Sequence, residues 1–168
     1  MRLLYYLYEL LTAPGVMMHE LGHAVFCLSA GVRVYRIRLF QFGRTAGFVE
    51  HEEPNNFFQG FLISVGPLII NSLFALFAFA KFNFVLTDWH SWVWLYFGVA
   101  VGLHAIPSDG DDHSLLVLAN RRFWKNPLVI IGYPFILLLY IFYLLKRLHI
   151  DWLYVFLLFW LGHFYLKQ

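Results

Sequence analysis

The chain has 168 residues, of which 61% are hydrophobic, 21% are aromatic and only 13% are charged. Ordinary soluble domains are about 45 to 50% apolar and about 25% charged, so the excess of apolar side chains predicts a protein that faces lipid. The formal net charge of +2 and the absence of a long basic run argue against a nucleic-acid partner. The length predicts a single domain, 1–168, without a second module.

The N-terminal segment, Arg2 to Leu11, begins like a signal peptide. No small-residue cleavage site follows it, so we expect it to be retained. Pro14 then interrupts the apolar sequence, because proline lacks a backbone donor and disfavours helix in the residue before it. A short helix to about Leu11 and a second helix from Pro14 to Ala30 are therefore predicted, with Gly31 as the C-terminal cap of the second.

The second predicted helix carries the strongest chemical signal, His19-Glu20-Leu21-Gly22-His23, an H-E-x-x-H pattern. Four residues are about 400° of helical rotation, so the two imidazoles lie one turn apart on one face and can hold one ion. Glu20, roughly 100° round from His19, lies beside that ion, where a general base for the attacking water belongs. Ionisable side chains within an apolar span are costly and by default mark a functional site. A zinc site is therefore favoured over satisfied core histidines.

A β-hairpin is predicted after this helix. Val32 to Phe40 is rich in β-branched and aromatic residues, Gly43 follows, and Thr45 to Val49 forms a second short run. Such a hairpin offers an edge to which an extended substrate strand can pair.

Further apolar stretches without Lys, Arg, Asp or Glu run from Phe57 to Ala80, Trp89 to Ile106, Leu128 to Leu145 and Trp152 to Leu166. Each is near the roughly 17 to 25 residues that a membrane-crossing helix needs. With the helix from Pro14 as another span, the predicted fold class is an all-α polytopic membrane protein. It has about five to six transmembrane helices and a small membrane-associated β-hairpin after the metal-binding helix.

The basic residues are unevenly divided between the two sides that five spans define. The hairpin side, with the 107–127 segment and the C-terminus, has eight: Arg33, Arg36, Arg38, Arg44, Arg121, Arg122, Lys125 and Lys167. The other side has four: Arg2, Lys81, Lys146 and Arg147. The excess favours a cytoplasmic hairpin side.

A catalytic zinc usually has three protein ligands, so a third must come from another segment. Ile106 to His113 follows directly on an apolar span and contains Asp109 and Asp111. The alternative is an ordinary loop in which Ser108 or Asp109 caps the next helix. Beside an H-E-x-x-H motif the metal interpretation is preferred, with either aspartate as the ligand.

Two other side chains within the spans are candidate site residues. Cys27 lies one turn beyond His23, too far along the axis to share an ion with His19, and is expected to be a small buried hydrophobe. His104 is a candidate hydrogen-bond partner of a metal ligand.

The chain resembles the site-2 family of intramembrane zinc metalloproteases. The resemblance is carried by the H-E-x-x-H motif with Gly31-Val32-Arg33-Val34, by Gly66-Pro67-Leu68 with Asn71, and by Pro107-Ser108-Asp109-Gly110. These pieces frame residues 14 to about 113 as the catalytic core, with extra helices at about 128–166. The chain departs from the family pattern where Asn71 stands five residues after Gly66 rather than four.

The resemblance implies a Zn²⁺ held by His19, His23 and Asp109, with Glu20 as the base and Asn71 as a substrate-positioning residue; Asp111 stays open as the alternative ligand. It also implies a multi-pass protein in the lipid bilayer whose site opens to the cytoplasm and whose partners are membrane-protein substrates. The expected activity is hydrolysis of peptide bonds in membrane-embedded or membrane-adjacent proteins.

Rival interpretations are an inactive scaffold or metal-binding protein of the same fold, and a transporter or channel whose intramembrane charges line a path. The intact motif argues against the scaffold. The sequence assigns no oligomeric state.

Overall fold

The computed structural model describes residues 2–42, 46–85, 87–107, 115–121, 130, 132–146 and 149–166. The helices are α1 (Arg2–Leu11), α2 (Ala13–Ser29), α3 (Phe57–Lys81), α4 (Trp89–Leu103), α5 (Tyr133–Lys146) and α6 (Ile150–Tyr165), and 115–121 is also helical. Strands β1 (Val34–Arg38) and β2 (Phe48–His51) form an antiparallel pair. The prediction of a mainly helical chain with one small hairpin is confirmed.

The ends of α2 follow from local sequence. Pro14 occupies the first turn of α2, where the missing backbone donor costs nothing. At the other end Gly31 has a φ of 70°, and its N–H donates to Leu28 O at 3.1 Å, while the Val32 N–H donates to Cys27 O at 2.8 Å. These two bonds form a Schellman motif, so the predicted glycine cap is present. This sharp stop turns the chain directly into the hairpin.

The hairpin pairs Ile37 with Val49 and Arg38 with Phe48, with an irregularity between Val34 and Arg36. The second strand begins three residues later than the predicted run, and 43–45 lie outside the described residues.

Helices α2 and α3 approach closely because two glycines meet. A Cβ on Gly22 would lie 2.8 Å from Pro67 Cα, and one on Gly66 would lie 2.9 Å from Gly22 O. The glycine-proline pair of α3 therefore lies directly against the turn of α2 that carries the H-E-x-x-H motif.

Helix α6 runs in the same direction as α3. The Tyr154 hydroxyl near the start of α6 lies 2.7 Å from Ser72 Oγ of α3, whereas a Cβ on Gly162 near its end would lie 2.9 Å from Phe79 Cβ. Further on, the His163 ring lies 5.8 Å from that of Phe82, just beyond the end of α3. The end of α6 therefore lies at the opposite end of α3 from the hairpin. The expectation that the last span ends on the hairpin side is wrong, since α6 packs parallel to α3, with Gly162 against Phe79.

One described helix, α3, has both the length (25 residues) and the hydropathy to cross a membrane; α6 is apolar but has 16 residues. The expected five to six spans are not confirmed, since α2, α4 and α5 have 17, 15 and 14 residues. Large apolar side chains nevertheless project outward, including Leu28, Leu153 and Phe156, each at least 67% exposed.

Candidate metal and catalytic site

His19 and His23 face each other on one side of α2. Their Nε2 atoms are 3.2 Å apart, and the ring centroids are 4.9 Å apart with an interplanar angle of 77°. Both side chains are buried. The one-turn spacing thus brings the two imidazoles to a common point inside the molecule.

Backbone carbonyls hold the other nitrogen of each ring. His19 Nδ1 lies 2.7 Å from His104 O, and His23 Nδ1 lies 2.9 Å from Ile63 O. A carbonyl only accepts hydrogen bonds, so these partners assign the ring proton to Nδ1 in both residues. In the neutral rings, Nε2 then carries the lone pair with which an imidazole binds a metal.

The pair of Nε2 atoms fits a zinc ion. Zinc–nitrogen bonds of about 2.0 to 2.1 Å in tetrahedral geometry place two ligand nitrogens about 3.3 Å apart. The observed separation is 3.2 Å. Two nitrogen lone pairs directed at one point are a donor set that a zinc ion can accept, so these residues fit the metal.

The third ligand predicted from sequence, Asp109 or Asp111, lies outside the described residues. Within the described ranges, no three His, Cys, Asp or Glu side chains are grouped to hold a metal. Both aspartates therefore stay predictions.

Glu20 lies beneath the hairpin. Its side chain is 8% exposed, and a Cβ on Gly47 would lie 2.6 Å from Glu20 Cγ and 3.0 Å from Glu20 Oε1. Gly47, the residue before β2, therefore covers the carboxylate, and its lack of a side chain makes room for Glu20.

A cavity of about 740 Å³ opens beside the three motif side chains, within the usual range for ligand sites. Glu53 and Arg121 form an ion pair at its open rim, with Nη1 and Oε1 3.0 Å apart and both side chains about two-thirds exposed. The other lining residues come from the hairpin, α3 and the 115–121 segment: Gly47, Phe48, Val49, His51, Pro54, Gly60, Ile63, Ser64, Leu115, Val117 and Leu118. Apolar residues of the hairpin, α3 and the 115–121 segment thus surround the three motif side chains, and an ion pair lies at the rim.

Asn71 does not line this cavity. It is fully buried in α3, and its side-chain N–H₂ lies 3.3 Å from Gly15 O, 3.2 Å from Val101 O and 3.0 Å from His104 O. This placement does not test the substrate-positioning role that the resemblance implies. It connects Asn71 to His19, because both side chains contact His104 O.

The sequence pointed to the side chain of His104, but its backbone carbonyl makes the contact with His19. The His104 ring itself is hydrogen-bonded to Thr12 Oγ1 at 2.9 Å. Ile63 was missed entirely, since a backbone carbonyl is common to all residue types and leaves no sequence signal. Cys27 is fully buried against Val32 and Ile63, as expected of a structural cysteine.

Comparison with known proteins gives one family. The family model described as Peptidase M50B-like matches residues 2–109, which include α1 to α4 and the hairpin. No curated protein and no solved structure gives a significant match.

Proposed function

The chain belongs to the Peptidase M50B-like family, and from that premise we propose that it is a zinc-dependent endopeptidase acting on proteins within or beside a membrane. The observation that carries the proposal is the pair of Nε2 atoms 3.2 Å apart, next to a buried glutamate in one cavity.

His19 and His23 would hold the zinc, together with Asp109 or Asp111. Zinc bound there would supply the activation of water and the polarisation of the scissile carbonyl. Glu20 takes the proton from the attacking water and later delivers it to the leaving amine. Its burial beneath the hairpin shields the carboxylate from bulk water, which strengthens its electrostatic effect on the reaction.

The strand that lines the cavity favours a substrate bound in an extended conformation. Phe48 and Val49 of β2 line it beside Glu20. A peptide bond in a helix is protected by the helix's own hydrogen bonds, so substrate must unwind before cleavage. We propose that the unwound segment pairs along β2, with apolar side chains against Ile63 and Leu115.

The proposed location is an integral, multi-pass membrane protein with the site open to the cytoplasm. The length and hydropathy of α3 support a membrane location, as do the apolar side chains that project outward from α2 and α6. The basic residues of the hairpin itself, Arg33, Arg36 and Arg38, support the orientation.

Substitution Glu20→Gln tests the proposal. The variant should bind zinc like the wild type, because Glu20 is not a ligand, while cleavage should fall about 10² to 10⁴-fold with loss of the base. Cleavage is measured on a panel of single-span reporter proteins reconstituted with the enzyme in lipid vesicles. Glu52→Gln, at an exposed glutamate that does not line the cavity, is the control and should retain cleavage. Absence of cleavage by the wild type, with zinc bound, would favour the inactive scaffold instead.

A further inference from the structure

Asn71 is linked to the proposed metal ligand His19 through a shared acceptor. His104 O lies 2.7 Å from His19 Nδ1 and 3.0 Å from Asn71 Nδ2. We infer that Asn71 is a positioning residue: it fixes the carbonyl that orients the His19 ring and does not contact substrate. The inference rests on the proposed zinc site.

The shared carbonyl is available because α4 ends there. His104 is the C-cap of α4, and the last carbonyls of a helix have no partner within the helix. They also carry the negative end of the helix dipole, which favours an N–H donor such as His19 Nδ1. The predicted span continued to Ile106, but the helix stops earlier and leaves His104 O facing α2.

The remaining contacts of Asn71 fix both elements around this carbonyl. Gly15 O belongs to α2, one turn before His19, and Val101 O belongs to the last turn of α4. A Cβ on Gly15 would also lie 2.7 Å from the His104 ring, so α2 and α4 are in close contact here. One amide group thus sets the distance between the ligand helix and the helix end that orients the ligand.

The choice of asparagine carries a cost that packing alone does not explain. Within the described part of the chain, Asn71 Oδ1 is buried without a hydrogen-bond partner. An unpaired buried acceptor is destabilising, and an apolar side chain of similar volume would avoid the penalty. The two N–H bonds of the amide, shared among three carbonyl oxygens, account for asparagine at this position.

The test compares metal affinity in the purified full-length protein by titration of Zn²⁺ against a chelator. Asn71→Leu keeps the branched shape and heavy-atom count of the side chain and removes the donors. It should weaken zinc binding by up to about 10 to 100-fold, the loss typical when a direct hydrogen-bond partner of a ligand is removed. Asn71→Ser retains a hydroxyl donor and should fall between Leu and wild type. The visible spectrum of bound Co²⁺ should change in Asn71→Leu, because one ligand ring is misoriented.

Phe79→Leu is the control for lost packing. Phe79 is fully buried in the same helix but packs against Leu103, Val155 and Leu158 rather than the site. It should lower thermal stability while leaving zinc affinity and the Co²⁺ spectrum unchanged.

The outcomes separate the two claims. If the wild type binds zinc and Asn71→Leu binds it equally tightly, or if its loss matches that of Phe79→Leu, the positioning role is overturned while the proposed function stands. An unchanged affinity with a raised KM would return Asn71 to substrate positioning. If the wild type binds no zinc, both claims fail.

Discussion

Gly47 lies against the proposed base Glu20, whereas Gly31 has open space around it. Alanine substitutions at the two positions therefore test the position of Glu20. A methyl group on Gly47 would collide with the Glu20 side chain, whereas one on Gly31 would meet nothing within 4 Å. Gly47→Ala should therefore displace the Glu20 carboxylate and reduce kcat about tenfold or more, with zinc content unchanged.

Gly31→Ala is the matched control. Its φ of 70° makes alanine unfavourable by about 1 to 2 kcal/mol, so it should lower the thermal midpoint while retaining kcat. Equal kcat values for the two variants would show that the contact of Gly47 with Glu20 has no part in catalysis.

At this scale the sequence indicated the side chains but not what orients them. The H-E-x-x-H spacing alone places His19 and His23 on one face, because helix geometry is fixed. The acceptors for their Nδ1 atoms are His104 O and Ile63 O. Both are backbone atoms, and neither lies on α2. Only the packing of three helices determines which carbonyls come within reach.

At the scale of elements, the contact between α2 and α3 depends on Gly22. A Cβ there would lie 2.8 Å from Pro67 Cα, a backbone atom that cannot move without shifting the helix. Gly22→Ala should destabilise the fold by about 1 to 3 kcal/mol, as overpacking does. It should also weaken zinc binding, since separating the helices moves His23 from Ile63 O.

Thermal unfolding in detergent and the zinc titration measure both effects. Leu21→Ala, at the adjacent but exposed residue of α2, should leave zinc affinity unchanged. A Gly22→Ala protein with wild-type stability and affinity would refute the role of this close contact.

The extent of the helices shows why hydropathy gave only approximate bounds. Helix α2 was predicted at 14–30 and is found at Ala13–Ser29, because proline and glycine mark its ends. The stretch from Trp89 to Ile106 was read as one span, yet α4 ends at Leu103. The last apolar residues lie outside the helix, because the helix ends where His104 O contacts the His19 ring. An apolar run does not reveal where such a contact ends a helix.

At the scale of the whole molecule, the two ends of α3 lie beside different parts of the chain. The hairpin lies at one end, while Phe84 and His163 lie together at the other, with rings 5.1 Å apart. Composition predicted contact with lipid but could not give the direction of α6, since apolar stretches are compatible with either direction.

Single-cysteine labelling tests this arrangement. In a Cys27→Ala background, cysteines replacing Phe84 and Tyr165 should react with an impermeant reagent from one side of sealed vesicles, and one replacing Glu52 from the other. The basic hairpin predicts that the Glu52 position reacts from the cytoplasmic side. Labelling of the Tyr165 and Glu52 positions from the same side would contradict the parallel packing of α6 on α3.

The central claim is that His19 and His23 bind one zinc ion, and metal analysis of the purified protein tests it most directly. We expect about one zinc per chain in the wild type, as a single site with two imidazole ligands and a carboxylate requires, and little or none in His23→Ala. A wild-type protein that contains no zinc and takes up none on titration, or a His23→Ala protein with a full equivalent, would contradict the claim.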